Sequence, residues 1–337
     1  MKLSSTGYTK KKRSNSSAVR ELAKILRTQQ NFLITGHRRP DGDLISCELL
    51  LASLLGHFKK RYSIVNRDKA PAVYSFLPGF NTIGVARRVN KKYDVLLALE
   101  CGNSGRLGGI AQLDKFARIV NVDHHADYEN FGTLNYIEPK ASSTAELLWP
   151  LFRELKLTPN HDQLLYILTG MYTDTNGFKE ANTTPESLRI AARIAERDIK
   201  PQIVDEMVYQ RRPISSMRLL GRILCTFKLT CSGRVLWYVI TRDMIKETGA
   251  SDSEIGNFID TVKAVNGSQV AIQFVEPSMP DGTRISIRTR GKVTANEIAR
   301  HFGGGGHKRA AGCIYPSTPD KARRAVLSYV RKLYRTL

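Results

Sequence analysis

The feature that most constrains this chain is a short apolar run that ends in an acid and two histidines. Residues 117–122 are mostly apolar, and Asp123, His124 and His125 follow directly. A run this short, bounded by polar residues, is typical of a buried strand. In an open α/β sheet, ligands bind beyond the carboxyl ends of the strands. The sequence therefore predicts a sheet at whose edge these three side chains either bind a ligand or are ordinary surface residues.

Three other segments lead into side chains of the same kind. Residues 31–36 and 93–99 are strand-like, and residues 162–173 have a helical pattern. Strands that alternate with helices in this way favour an α/β fold with a parallel sheet. The side chains that follow these segments, all able to bind a metal, are His37, Asp41, Asp43, Glu100 and Asp174.

The chemistry of this set points to hard divalent cations. Carboxylates and imidazoles without thiolates favour Mn²⁺ or Mg²⁺ over a structural zinc. With His124 there are six ligands, which exceed the needs of one tetrahedral ion and suit two ions ~3.5–4 Å apart. The Pro-Asp-Gly-Asp turn at residues 40–43 could direct two carboxylates at different ions. Taken alone, the motif would favour an ordinary exposed Asp-Gly turn, but His37 just before it favours the metal site.

Composition limits the class of protein further. The 337 residues suffice for about two domains. The formal net charge of +21 favours polyanionic partners such as RNA, although a generally basic proteome would give the same bias. Five cysteines without C-x-x-C spacing argue against a disulfide framework. We expect a cytoplasmic protein without membrane partners, because no apolar run is long enough to span a bilayer or to act as a signal peptide.

Four blocks of the sequence resemble the DHH phosphoesterases that carry a DHH-associated second domain. They are His-x-x-Pro-Asp-Gly-Asp at 37–43, Asp-His-His at 123–125, Asp-Thr with a nearby Phe at 174–178, and Gly-Gly-Gly-His with Ala-Ala-Gly at 304–312. The blocks occur in the order of that family, between about residue 20 and residue 335. Within the superfamily, the chain is most similar to the nanoRNase/pAp phosphatases, since it carries no added OB-fold.

The resemblance implies a parallel-sheet DHH domain with helices on both faces and a smaller α/β DHH-associated domain joined to it by a helical linker. We predict four segments. They are a disordered basic arm at 1–17, the DHH catalytic domain at 18–199, the linker helix at 200–223 and the substrate-binding DHH-associated domain at 224–337.

The resemblance also implies a role for each residue of the site. One ion would be bound by His37, Asp41 and Glu100. The second ion would be bound by Asp43, Glu100, His124 and Asp174. Glu100 would bridge the ions, although most relatives have Asp at this position. Asp123 would orient an imidazole, and His125 would face the substrate phosphate. We expect the cofactor to be two Mn²⁺ ions, with Mg²⁺ as the alternative.

The second domain would bind the substrate phosphates. A glycine run can form a nest of backbone N–H donors around an anion, and arginines can bind phosphate with two hydrogen bonds. The alternatives are a flexible linker for the glycines, an ordinary surface position on a strand for Arg288 and the capping of a loop for Arg106. The predicted contacts are Arg106, Arg288, Gly304, Gly305, Gly306, His307 and Arg309.

The activity that the resemblance implies is hydrolysis of short RNA oligonucleotides to mononucleotides and of 3′-phosphoadenosine 5′-phosphate (pAp) to AMP, by an activated water. Linear or cyclic dinucleotide hydrolysis in signalling is an alternative that uses the same ions. An alternative of another class is a basic RNA-binding protein with an inactive site. A homodimer is left open. Because packed carboxylates repel one another without metal, we expect Asp43→Ala and Asp174→Ala to abolish turnover at little cost in stability.

Overall fold

The computed structural model describes residues 6–255, 258–277 and 282–335, with side chains from residue 16 onward except that of Ser253. It divides into two compact units, Met1–Arg211 and Arg212–Leu337. The basic arm predicted for residues 1–17 falls largely outside the described side chains, although helix α1 begins at Thr6. The disorder of the arm stays a prediction.

The first unit is built on a six-stranded parallel sheet. Its strands are β1 (Asn31–Gly36), β2 (Arg61–Asn66), β3 (Ile83–Val85), β4 (Val95–Leu99), β5 (Arg118–Asp123) and β6 (Leu134–Ile137). The order across the sheet is β3-β2-β1-β4-β5-β6. The chain thus builds outward first on one side of β1 and then on the other, so the carboxyl ends of β1 and β4 flank the point where ligands bind in such sheets.

The two faces of the first unit's sheet are covered differently, with the α-helices contributing to the larger core. They are α1 (Thr6–Thr28), α2 (Gly42–His57), α3 (Thr144–Leu148), α4 (Leu151–Leu155), α5 (His161–Asp174), α6 (Pro185–Ala195) and α7 (Pro201–Asp205). Phe32 and Ile34 of β1 pack into the large core formed with these helices. Leu33 faces the opposite side, in a smaller core that includes residues of two short 3-10 helices. This confirms the predicted α/β fold, with only 3-10 helices on the second face among the described residues.

The second unit contains a mixed six-stranded sheet. Its strands are β7 (Lys228–Thr230), β8 (Val235–Ile240), β9 (Val270–Val275), β10 (Thr283–Thr289), β11 (Gly305–Gly306) and β12 (Ala310–Tyr315). The order is β11-β12-β10-β9-β8-β7, with β8 and β9 parallel and the other neighbours antiparallel. The helices are α8 (Ile214–Thr226), α9 (Arg242–Thr248), α10 (Phe258–Val262), α11 (Ala295–His301) and α12 (Pro319–Arg335). Apolar cores lie on both faces of this sheet.

The segment predicted as a linker helix contains more than one helix. After α7 a π-helical turn spans Glu206–Gln210, and α8 starts only after Pro213. Proline has no backbone N–H and disfavours helical backbone in the residue before it, which explains the break. In the part of the chain that the structure describes, no helix combines the length and apolar character needed to cross a membrane.

Candidate metal centre

His37 and Asp41 form the first corner of the site, directly after β1. The Nδ1 atom of His37 lies 2.7 Å from the carbonyl oxygen of Arg38, which it can therefore bond as a donor. Nε2 is buried 3.5 Å from Oδ2 of Asp41 and has no hydrogen-bond partner among the described residues. Burial disfavours the charged imidazole, but the adjacent Asp41 carboxylate outweighs it and raises the pKa of His37 to about 9.

The start of α2 fixes the two carboxylates of the turn. Asp41 is the N-cap residue, and its Oδ1 accepts a hydrogen bond from the backbone N–H of Leu44 at 3.1 Å. Asp43 lies in the first turn of α2 and is buried. Its two oxygens accept hydrogen bonds from the backbone N–H groups of Thr144, at 2.6 Å, and Ala145, at 3.0 Å. Burial, with the charges of nearby carboxylates, raises the pKa of Asp43 well above its usual range.

Glu100 is the next residue after β4, and its backbone has a left-handed φ of 59°. Its carboxylate is buried and accepts a hydrogen bond from the hydroxyl of Thr144. Oε1 lies 3.7 Å from Nε2 of His124, and Oε2 lies 3.9 Å from Nδ1 of His125. Burial would raise the pKa of Glu100, but the two imidazoles hold it below its ordinary value.

The end of β5 positions both histidines. Oδ1 of Asp123 accepts hydrogen bonds from the backbone N–H groups of His124, at 2.8 Å, and of His125, at 3.2 Å. The same oxygen lies 2.6 Å from Nδ1 of His125, which fixes the orientation of that ring. Nδ1 of His124 lies 3.3 Å from the carbonyl oxygen of Ala141, and its Nε2 lies 3.5 Å from Oδ2 of Asp174.

Asp174 closes the arrangement from the carboxyl end of α5. The side-chain amide of Asn182 donates a hydrogen bond to its Oδ2 at 3.0 Å. Burial is the main cause that raises the pKa of Asp174, to about 7, against the opposing charge of His124. The ends of three strands and of two helices therefore bring all six predicted ligands to one edge of the sheet.

These residues fit divalent cations. The set is rich in oxygen, as hard cations require, and it contains a buried imidazole nitrogen, Nε2 of His37, that has no hydrogen-bond partner among the described residues. Ligand atoms of Glu100, His124 and His125 lie within 4.8 Å of one another. Buried carboxylates at this density repel one another, and cations would neutralise that repulsion.

Thr144 and Asn182 are among the residues that contact the ligands but were not predicted from the sequence. Thr144 contacts two of the carboxylates, since its backbone N–H binds Asp43 and its hydroxyl binds Glu100. Asn182 contacts Asp174 and also donates to the carbonyl oxygen of Ser142 at 2.8 Å. The Ser-Ser-Thr-Ala-Glu run at residues 142–146 does predict a capped helix start, but not what that start faces.

Arg106 lies near the first corner of the site. It belongs to a 3-10 helix whose cap is Asn103, and its carbonyl oxygen accepts a hydrogen bond from the N–H of Arg38 at 2.9 Å. Its positive charge opposes protonation of His37, although the Asp41 carboxylate outweighs this effect on the pKa. The structure therefore places Arg106 on the same edge of the sheet as the metal ligands.

Arg288 of the second unit already binds a carboxylate. Its Nε and Nη2 donate to the two oxygens of Asp260 at 3.0 and 3.3 Å. Lys263 lies 2.9 Å from the same Asp260 carboxylate. The pair of guanidinium donors that was expected to bind a phosphate thus binds an aspartate of the same unit.

The glycine run differs from the predicted nest of N–H groups. The N–H groups of Gly303 and Gly304 donate to carbonyl oxygens at the end of α11, at 3.0 and 2.8 Å. A Cβ at Gly304 would lie 2.2 Å from the carbonyl oxygen of Gly312, so close packing requires glycine there. Gly305 and Gly306 pair with β12. The run therefore forms a helix end and a hairpin strand.

The turn after β11 contains the last two residues predicted to contact the substrate. His307 is exposed, and its N–H donates to the carbonyl oxygen of Ala310 at 2.7 Å. Arg309 follows, and its Nη1 donates to the carbonyl oxygen of Gly291 at 2.6 Å. The structure thus places both residues in the turn that joins β11 to β12.

The chain is similar to known proteins over nearly its whole length. A family model described as "DHH family, N-terminal domain" matches residues 31–172, and one described as "DHHA1 domain" matches residues 233–335. The bifunctional oligoribonuclease and PAP phosphatase of Thermus thermophilus is 31% identical over 318 residues, which are 93% of this chain and 94% of the relative. The protein of the same description in Bacillus subtilis is 25% identical over 310 residues, covering 90% and 95%. A solved structure of an exopolyphosphatase-related protein from Bacteroides fragilis superposes with a TM-score of 0.84 at 22% identity, covering 95% of this chain and 98% of that one, and shows the fold alone.

Proposed function

Because the chain belongs to the DHH family of phosphoesterases, we propose that it hydrolyses short RNA oligonucleotides to mononucleotides and pAp to AMP. The observation that carries this proposal is the convergence of six metal-type side chains, all buried or half-buried except Asp41, beyond the carboxyl ends of the strands of a parallel sheet. The Thermus and Bacillus relatives, described as acting on both substrate types, support it.

Two divalent cations are the cofactor that we assign to this site. His37, Asp41 and Glu100 would bind the first, and Asp43, Glu100, His124 and Asp174 would bind the second, with Mn²⁺ preferred and Mg²⁺ as the alternative. When bound, such ions lower the pKa of a water that attacks phosphorus and neutralise charge on the phosphate oxygens.

The protein's own groups have separate tasks in this proposal. Asp123 holds the ring of His125 through a 2.6 Å contact at Nδ1. The other ring nitrogen of His125 would face the substrate phosphate. Thr144 orients Glu100 and Asp43, which keeps their remaining lone pairs available for cations. Arg106, His307 and the residues next to His307 would bind phosphate groups of the substrate.

Arg288 requires a rearrangement to contribute. Its guanidinium is paired with Asp260, so a terminal phosphate would have to compete with that carboxylate or bind the N–H donors that Asp260 does not use. We keep it as a proposed substrate contact because a pre-oriented guanidinium loses little freedom on binding. Cytoplasmic location and homodimer formation stay predictions.

The test is release of mononucleotides from an end-labelled RNA dinucleotide and of phosphate from pAp. The chelated protein should be inactive and should recover on addition of Mn²⁺, whereas Asp174→Ala should stay inactive. Hydrolysis that continues undiminished in chelator would refute the proposal. Tight dinucleotide binding without turnover by the native chain, with every divalent ion, would favour the inactive RNA-binding alternative. Faster turnover of cyclic dinucleotides than of short RNA would favour the signalling alternative.

A further inference from the structure

The positive charge of this protein is concentrated in its second unit. Residues 212–337 contain 21 of the 52 Lys and Arg residues but only 9 of the 31 Asp and Glu residues, which gives a net charge of +12. The segment therefore carries more than half of the chain's +21 in little more than a third of its length. Charge this concentrated makes a surface attractive to polyanions.

Helix α12 presents much of this charge on one side. Its apolar side is buried in the core through Ala322, Val326, Leu327 and Val330. The exposed basic residues on the opposite side are Lys321, Arg324, Arg331, Lys332 and Arg335. They span about 21 Å of helix. The helix contains a single acid, Asp320, and this residue pairs with Arg323 at 2.9 Å.

Neighbouring strands extend this basic surface and hold some of its cations in place. Lys228 and Arg323 lie over the ring of Trp237, at 5.7 and 5.0 Å from its centroid. In the same way Arg234 lies 5.6 Å from the ring centroid of Tyr334. Cation–π contacts restrict these long side chains, so less conformational entropy is lost when they bind an anion.

We propose that this surface, the α12 basic face, binds the phosphodiester backbone of single-stranded RNA. The face consists of Lys228, Arg234, Lys321, Arg323, Arg324, Arg331, Lys332 and Arg335. A row of cations along a helix complements a polymer with one charge per monomer. Attachment of RNA to this face would not depend on hydrolysis, since α12 carries none of the proposed metal ligands.

The chemistry of the face favours RNA over an anionic membrane. A helix that lies on a bilayer turns an apolar side toward the lipid. The apolar side of α12 is buried in the protein core, and only Ala325 and Ser328 lie between the exposed cations. Along α12, the exposed side therefore offers charge without the large apolar side chains that anchor a helix in a bilayer.

The test compares two charge-reversal variants of the full chain that change net charge equally. Lys321→Glu/Arg324→Glu/Lys332→Glu alters the α12 basic face, whereas Arg189→Glu/Arg193→Glu/Arg197→Glu alters exposed residues on and just after α6. Binding of a fluorescein-labelled 20-nucleotide RNA would be measured by anisotropy in chelator, which prevents cleavage, over a range of salt concentrations. Vesicles of anionic lipid and a duplex RNA provide two further arms.

We expect the α12 variant to bind the single strand at least about tenfold more weakly, with a log–log salt slope lower by about 2, since each phosphate contact contributes about 0.7. The α6 variant should keep most of the native affinity, and both variants should hydrolyse a dinucleotide at the native rate. Equal loss in both variants, or no loss in the α12 variant, would overturn the proposal. So would a loss seen only for vesicles, or tighter binding to the duplex. If a thermal melt shows that the charge-reversed α12 variant is not folded, replacement of the same three residues by Gln gives the same comparison with smaller effects.

Discussion

Replacement of Asp43 by alanine should destabilise the metal-free protein, in contrast to the expectation from charge repulsion alone. The carboxylate is buried and accepts hydrogen bonds from two consecutive backbone N–H groups, those of Thr144 and Ala145. Alanine removes the acceptor and leaves both donors buried. Water can compensate only if it enters the space that the carboxylate leaves.

The magnitude follows from these two contacts. Each buried donor left without a partner costs about 1–3 kcal/mol, so two cost about 2–6 kcal/mol. Removal of Asp43 also relieves its repulsion with Glu100 and Asp174, which is the cause, after burial, of its raised pKa. Allowing about 1–2 kcal/mol for that relief, we expect Asp43→Ala to lower the free energy of unfolding by about 3 kcal/mol.

The matched control is Asp174→Ala. Asp174 is part of the same cluster of charge, but its side chain accepts its described hydrogen bond from the side chain of Asn182 and not from backbone N–H groups. Its removal should change stability by less than about 1 kcal/mol or increase it. Urea unfolding in chelator, followed by circular dichroism, measures both variants. Equal stability of the two, or a gain in Asp43→Ala, would show that the backbone contacts to Asp43 contribute little.

Three further predictions follow from the site. Thr144→Val should weaken Mn²⁺ binding by about 10–100-fold in a calorimetric titration, with recovery in Thr144→Ser; unchanged affinity would exclude an orienting role for the hydroxyl. The pKa values of His37 and His124 are raised to about 9, so their protonated forms stabilise the chelated protein. That contribution to stability is complete below pH 6.5 and is lost as the pH rises through about 9, while the affinity for Mn²⁺ should rise over the same range. Urea titrations across this range, with and without Mn²⁺, test both trends. A chelated protein whose stability increases with pH would contradict them. Arg288→Ala should raise KM for pAp with little change in kcat, and an unchanged KM would remove Arg288 from the substrate site.

The local sequence was sufficient to predict an element and the site residues after it where a strong apolar pattern ended in a chemical motif. The apolar runs of β1, β4 and β5 predicted the parallel sheet, and the polar residues directly after them predicted which side chains share its edge. Shorter or weaker segments were missed. Strands β3 and β7 have three residues each, too few for a periodic signal, and β11 consists of two glycines. Residues 144–155 form two helices, α3 and α4, and not one, because Pro150 interrupts the hydrogen-bonding pattern.

By itself, the sequence determined which chemical groups are present and that strands end beside them, since both follow from residues adjacent in the chain. Only the tertiary structure decided what those groups contact. Asp43 is bound by N–H groups about a hundred residues away, and Arg288 is bound by Asp260 from another element. Such partners depend on how elements pack, and packing brings together residues whose separation along the chain carries no local signal. The same packing buries one side of α12 and leaves its cations exposed, which turns a count of charges into a surface.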